Sequence, residues 1–233
     1  MKGQIQRNQG RELKDFIQKY KYELLLFALL QHLFIGIFLT DLPLYTGVIW
    51  PANMFVLGVA SIGVYLEKGK WKNILRNLFF IMVFALPLGL TFFGNSQTYY
   101  LFLNISYVAY FIFIFYEIIR FLVKPSYINQ DIILASACGY LLLIEISTFF
   151  FQYCLTQNPG SFNGIDTTNN ATIYMDFVYF SSITMTSIGY GDISPASYFT
   201  KLAVAIIGIV GQFYTVVLVG ILISKFTARQ NKT

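Results

Sequence analysis

Charge is scarce in this sequence: Asp, Glu, Lys and Arg make up 12% of its 233 residues, against 56% hydrophobic and 18% aromatic. That balance excludes an ordinary soluble domain and places the chain among membrane proteins. Histidine and cysteine are nearly missing too. One His and two Cys cannot build the Cys/His cluster that a zinc site needs. Cys138 and Cys154 fall on one apolar run, about 24 Å apart along a helix, so they cannot bridge within a chain. The lone His32 is expected to be a buried polar residue with a local partner, not a metal ligand. No nucleophile, base and acid stand together on a loop, so an enzyme is not expected. The net charge of +5 is not gathered into a basic domain either. Lys and Arg sit in short clusters between apolar runs, which fits membrane topology and not a nucleic-acid partner.

What the sequence has in quantity is long apolar runs, at 24–41, 47–66, 75–94, 99–123, 131–155 and 198–224. Each approaches or exceeds the roughly 20 residues that a helix needs to cross about 30 Å of hydrocarbon. Lipid offers no partners for backbone amides, so each is expected to be a helix. Six transmembrane helices follow. Lys2, Arg7, Arg11, Lys14, Lys19 and Lys21 precede the first run, and Lys68, Lys70, Lys72 and Arg76 separate the second from the third. Arg120 closes the fourth and Lys124 follows it, and Lys225, Arg229 and Lys232 follow the sixth. Segments 42–46, 95–98 and 156–173 contain neither Lys nor Arg, and only Lys201 falls on the expected outer side. Both termini are therefore expected to be cytoplasmic in a multi-pass protein of the cell membrane. The polar first twenty residues and the lack of a small-residue cleavage pattern predict that the first run stays as an anchor. Leu13, Phe16, Ile17 and Tyr20 have helical spacing, which suits either an interfacial helix or a solvated leader.

The segment between the fifth and sixth runs is too short and irregular to be another span. Residues 156–173, with Asn158-Pro159-Gly160, predict an outer loop that carries the sequon Asn170-Ala171-Thr172. Residues 174–185 are apolar and aromatic, enough for a re-entrant helix of about 18 Å. Then comes Thr186-Ser187-Ile188-Gly189-Tyr190-Gly191-Asp192, with two glycines spaced by two. Glycines permit the unusual backbone angles that let successive carbonyls face one axis. Irregular backbone at membrane depth is tolerated where it lines a water-filled path or is buried in protein.

The stretch from Asp176 to Asp192 resembles the pore helix and signature sequence of potassium channels, whose Thr-Val-Gly-Tyr-Gly loop is the known example of a selectivity filter. The match is a resemblance and not a derivation. It implies that Thr186, Ser187, Ile188, Gly189, Tyr190 and Gly191 form an ion-coordinating filter, with K⁺ at the carbonyls of Ser187, Ile188, Gly189 and Tyr190. It implies further that Asp192 anchors the outer mouth and that Tyr179 and Phe180 take the family's aromatic-cuff positions around Tyr190. Ser187 departs from the usual Thr: it keeps the hydroxyl but loses the β-methyl that restricts χ1, so a softer innermost site is expected. Ile183 stands where some relatives carry an acid behind the filter. Glu145 is a candidate substitute in filter support, reaching Ser181 or Thr184, or else a partner within the first four helices.

One chain supplies one filter strand, so a homotetramer with three identical subunits is expected. The only expected small partner is K⁺ as the permeant ion, without a cofactor. Six spans with the pore last resemble the voltage-gated arrangement, but the fourth run carries only Glu117 and Arg120 as charged residues, so steep voltage gating is not expected. Gly208 and Gly211 in the last run suit either a gating hinge or close helix packing. The last run ends near position 224, leaving no room in this sequence for a nucleotide- or calcium-binding domain. The expected architecture is an all-α membrane protein with a cytoplasmic segment 1–23, a four-helix peripheral domain 24–124 and a pore domain 125–233. A potassium-selective channel is the leading reading. A non-selective cation channel and a non-conducting accessory subunit are the alternatives, and the compact chain suggests a prokaryotic inner membrane.

Overall fold

The computed structural model describes residues 12, 16–38, 41–65, 70–93, 96–123 and 130–230. Leu13 and the basic residues Lys2, Arg7, Arg11, Lys14, Lys68, Lys124 and Lys232 lie outside the described residues, as does most of segment 1–23. Seven long helical elements carry the fold: α1 (Lys21–Phe38), α2 (Leu42–Ile62), α3 (Lys70–Phe93), α4 (Gln97–Val123), α5 (Gln130–Gln157), α6 (Asn170–Met185) and α7 (Tyr198–Gln230). A pair of two-residue strands, β1 (Phe162–Asn163) and β2 (Ser194–Pro195), adds a small antiparallel bridge.

Each expected run falls on a helix. Among the described residues α1, α2, α4, α5 and the Tyr198–Leu218 part of α7 are long and apolar enough to cross a membrane. The run expected at 75–94 lies on α3, whose described apolar part is the shorter stretch Arg76–Leu90. Prolines shape two of these helices. In α2, Asp41 caps the start by accepting from the Leu44 amide at 3.0 Å, and residues Tyr45–Ile49 widen into a π turn just before Pro51. The ring of a helical proline crowds the carbonyl one turn back, and a wider turn relieves it. In α3, Pro87 sits next to the Leu86 carbonyl, which accepts from the Tyr99 hydroxyl of α4.

α5 is the centre of the molecule. α4, α1, α6 and α7 all pack on it. Along α1 the buried residues Tyr22, Leu25, Ala28, Leu29, His32 and Leu33 recur at helical spacing, which gives one stripe toward this core. An aromatic cluster fills the seam with α4: the Phe149 ring lies 4.9 Å from Tyr107 and 5.7 Å from Phe111. Lipid tails are as apolar as these side chains, so the seam gains from close packing and ring geometry, about 0.5–1.5 kcal/mol per aromatic pair, and not from leaving water. A second, smaller cluster of Phe151, Phe162, Phe177, Phe180 and Ile193 ties α5 and α6 to the strand bridge. Cys138 and Cys154 are both free and buried.

Candidate functional site

The helix expected at 174–185 begins four residues earlier, at Asn170. Asn169 caps it, its side chain accepting from the Ala171 amide at 2.8 Å. The polar Asn169-Asn170 pair reads as loop in a hydropathy scan but is what a helix start needs, since the first amides have no intrahelical partner. At the other end the chain does not simply unwind. The amides of Ile188 and Gly189 both donate to the Ile183 carbonyl, at 2.9 and 3.2 Å, and the Ser187 amide donates to Thr184 at 3.1 Å.

Backbone signs then alternate. Ser187, Gly189 and Gly191 have φ of 60, 53 and 86°, while Ile188 and Tyr190 between them do not enter the positive region. In a strand of uniform φ, successive carbonyls point to opposite sides. Alternating left- and right-handed residues turns them toward the same side, which is what a column of oxygen ligands requires. Ser187 is the only non-glycine with positive φ among the described residues, a conformation costing about 1–2 kcal/mol for a residue with a Cβ.

The sequence reading missed what holds it there. Gln212 of α7 donates from Nε2 to Ser187 Oγ at 2.7 Å and to the Met185 carbonyl at 3.1 Å, so one amide ties the strained residue to an end carbonyl of α6. The only sequence signal was a carboxamide within an apolar span. Thr186 turns its hydroxyl back onto the Ser182 carbonyl, donating to it at 2.8 Å. α7 comes close enough for these bonds because Gly208 and Gly211 face the end of α6. A Cβ at Gly211 would lie 3.0 Å from the Met185 side chain, and one at Gly208 would lie 3.7 Å from Thr184.

Beyond the 186–191 segment, Tyr179 donates to Asp192 Oδ2 at 2.7 Å, and this bond holds the Asp192 carboxyl below the usual carboxylate range. Phe180 turns the other way, into its own subunit's outer cluster, with its ring 5.4 Å from Phe151 and 5.8 Å from Phe162. Tyr190 stays 72% exposed on the single chain. The loop 156–173 is more structured than its composition predicts. β1 and β2 pair Phe162 with Pro195 and Asn163 with Ser194. Gly164, at φ 82°, lies against the Asp192 carbonyl where a Cβ would not fit. The Ser161 carbonyl accepts from the Ala196 amide and from Thr200 Oγ1, both at 2.8 Å. The segment after Gly191 is thus clamped to the loop before α6.

Glu145 reaches neither Ser181 nor Thr184. Ser181 is taken by Thr148, whose hydroxyl lies 3.4 Å away, and Glu145 sits deeper, 2.6 Å from Nδ1 of His32. The Tyr174 hydroxyl completes the group, 2.8 Å from the same nitrogen and 3.3 Å from Glu145 Oε2. His32 and Glu145 are both 0% exposed, so neither has water as an alternative partner. His32 therefore has a partner, but a distant one in sequence. Tyr174 lies about 16 Å along α6 from Met185, so the group braces the start of that helix and not the segment after its end.

Residues 139–228, from the middle of α5 through α6, the segment 186–192 and most of α7, match a family model described as "Ion channel". No curated protein and no solved structure matches the chain. The family match supports an ion channel that conducts passively across a membrane.

Proposed function

We propose that the chain is one subunit of a potassium-selective channel, with six spans, both termini cytoplasmic and four copies around the conduction axis. The observation that carries this reading is the alternation of φ at Ser187, Gly189 and Gly191, which favours a column of backbone oxygens of the kind that replaces a cation's hydration shell. Fourfold assembly is supported by the exposed apolar face of α7, where Ile206, Ile209, Phe213 and Val216 are each more than 60% exposed on the single chain. Conduction would then need only K⁺, with Gln212 and the Tyr179–Asp192 bond fixing the two ends of the filter. The fourth span, α4, has no cationic ladder, so steep dependence on voltage is not part of the proposal.

The test is flux from liposomes containing the purified protein. K⁺ should pass in preference to Na⁺, and Gly189→Ala, which puts a Cβ on a residue at φ 53°, should abolish that flux. Equal passage of Na⁺ would replace this reading by the non-selective channel. No flux from a correctly assembled tetramer would leave the accessory subunit.

A further inference from the structure

Between the end of α5 and the start of α6 the chain carries four asparagines, and three of them are engaged. Asn158 accepts from the Gly160 amide at 3.1 Å, and the residue after it is Pro159, which has no backbone N–H. Asn169 caps α6, and Asn170 donates from Nδ2 to the Tyr100 hydroxyl at 2.5 Å. Asn163 differs from all three. It is exposed, and its carboxamide makes no hydrogen bond among the described residues.

Its neighbour differs as well. Asn163-Gly164 is the only Asn-Gly step in the sequence. Gly164 has no Cβ to shield its own amide nitrogen, and it lies one residue past β1, outside the bridge that pairs Asn163 with Ser194. Among the described residues its amide donates to no other group. By contrast Asn169 and Asn170 are followed by residues with a Cβ, and the Ala171 amide is already bonded to Asn169. A free carboxamide next to a free, unshielded amide is thus found at one asparagine of the four.

We propose that Asn163 is a site of spontaneous deamidation, which turns a neutral side chain on the β1–β2 clamp into a negative one. Hydroxide takes the proton of the Gly164 amide, and the nitrogen attacks Asn163 Cγ. The N–Cγ bond forms and the Cγ–Nδ2 bond breaks; ammonia leaves with a proton from water, which returns the hydroxide. A second water opens the five-membered imide at either carbonyl. One opening leaves aspartate, and the other leaves isoaspartate, in which the chain runs on through the side-chain carboxyl. No group is oxidised or reduced, and both products carry a new carboxylate. Gly164 packs against the Asp192 carbonyl, so the charge arises where the segment after Gly191 is held, once in each copy of the chain. The deamidation stands on the loop alone, whereas its effect on flux rests on the channel reading.

The full chain in lipid nanodiscs is incubated at mildly alkaline pH and followed by peptide mass spectrometry, which reads the exchange of ammonia for water. Asn163 should convert about tenfold faster than Asn158, Asn169 or Asn170, because only Gly164 leaves its amide both free and unshielded. The rate should rise with hydroxide concentration. Asn163→Gln, which would need a six-membered ring, should remove the fast conversion and so assign it to this side chain. Conversion at Asn163 no faster than at the other three overturns the proposal. So does conversion confined to chain unfolded in guanidinium, because the bridge then protects the step. In liposomes Asn163→Asp should raise K⁺ flux about twofold in about 10 mM salt, where charge acts over about 30 Å, and leave it unchanged in about 1 M salt, where charge acts over about 3 Å. Flux equal to the parent's at the lower salt overturns the effect on the pore. Deamidation as expected with no flux from either chain removes the channel reading and leaves the modification site in place.

Discussion

α5 and α7 flank the same pore helix and share a mean hydropathy of 1.9 over their most apolar windows, yet 67% of that window is buried in α5 and 11% in α7. Hydropathy measures only the transfer to an apolar surrounding. It does not say whether the surrounding is protein or lipid, nor whose protein it is. α5 has used its surface within the chain: Glu145 has taken His32 and Tyr174, and Phe149 has taken three rings from α4 and α6. α7 has used only the side that carries Gly208, Gly211, Gln212 and Tyr214. One helix is a keel for its own subunit, and the other is left to be completed from outside.

The sharpest way to break that comparison is to disturb each helix where it is committed. Glu145→Ala removes the nearer partner of the buried His32 and leaves it only the Tyr174 hydroxyl, and a buried polar group that loses a partner costs about 1–3 kcal/mol. A large fall in thermal midpoint is expected in detergent, mostly recovered when His32→Leu is combined with Glu145→Leu. By contrast Phe213→Glu, on a side chain 68% exposed, should leave the chain's helix content intact and convert the proposed tetramer to monomer in size-exclusion chromatography with light scattering. If instead it unfolds the chain, α7 is not the outward-facing helix described here.

Smaller effects probe the one side of α7 that is bonded inward. Gln212→Leu keeps packing volume but removes two hydrogen bonds that each contribute about 0.5–1.5 kcal/mol. K⁺ over Na⁺ selectivity should fall several-fold in reversal-potential measurements, with little change in assembly. The smallest effect is at the outer mouth. Asp192 has a depressed pKa in the fold, so its bond with Tyr179 is fully present above the ordinary carboxylate value near about 4 and is lost as pH falls through the lower folded value. Conductance should not change between external pH 8 and about 5. A step appearing only below about 4, and absent in Asp192→Asn, is the expected record.

The sequence made the repeated and periodic features legible. Six apolar runs became helices, and the Gly-Tyr-Gly-Asp pattern marked a segment whose backbone does alternate. Features without period were missed. Asn169 and Asn170 looked like loop because capping is a property of one side chain and one amide. β1 and β2 have two residues each, too few for alternation to register. Gln212 was invisible because its meaning depends on a carbonyl 27 residues earlier, and Glu145 found His32 across 113 residues. The fixed points of this molecule are made by isolated polar groups in apolar helices, and single-residue chemistry leaves no pattern to scan for.

The Ser161 carbonyl also has a mechanical meaning. It takes bonds from Ala196 and Thr200, so the outer end of α7 is tied to one oxygen atom in a loop that the strand bridge holds in turn. A 33-residue helix is about 50 Å long, and a rod hinged at one end multiplies angle into displacement: a tilt of about 10° would sweep the far end by about 9 Å. The Tyr214 hydroxyl, bonded to the Ser136 carbonyl of α5 at 2.8 Å, is a second tie about 24 Å along that rod from Tyr198. A tilt about the Ser161 end would therefore have to break the Tyr214 bond first.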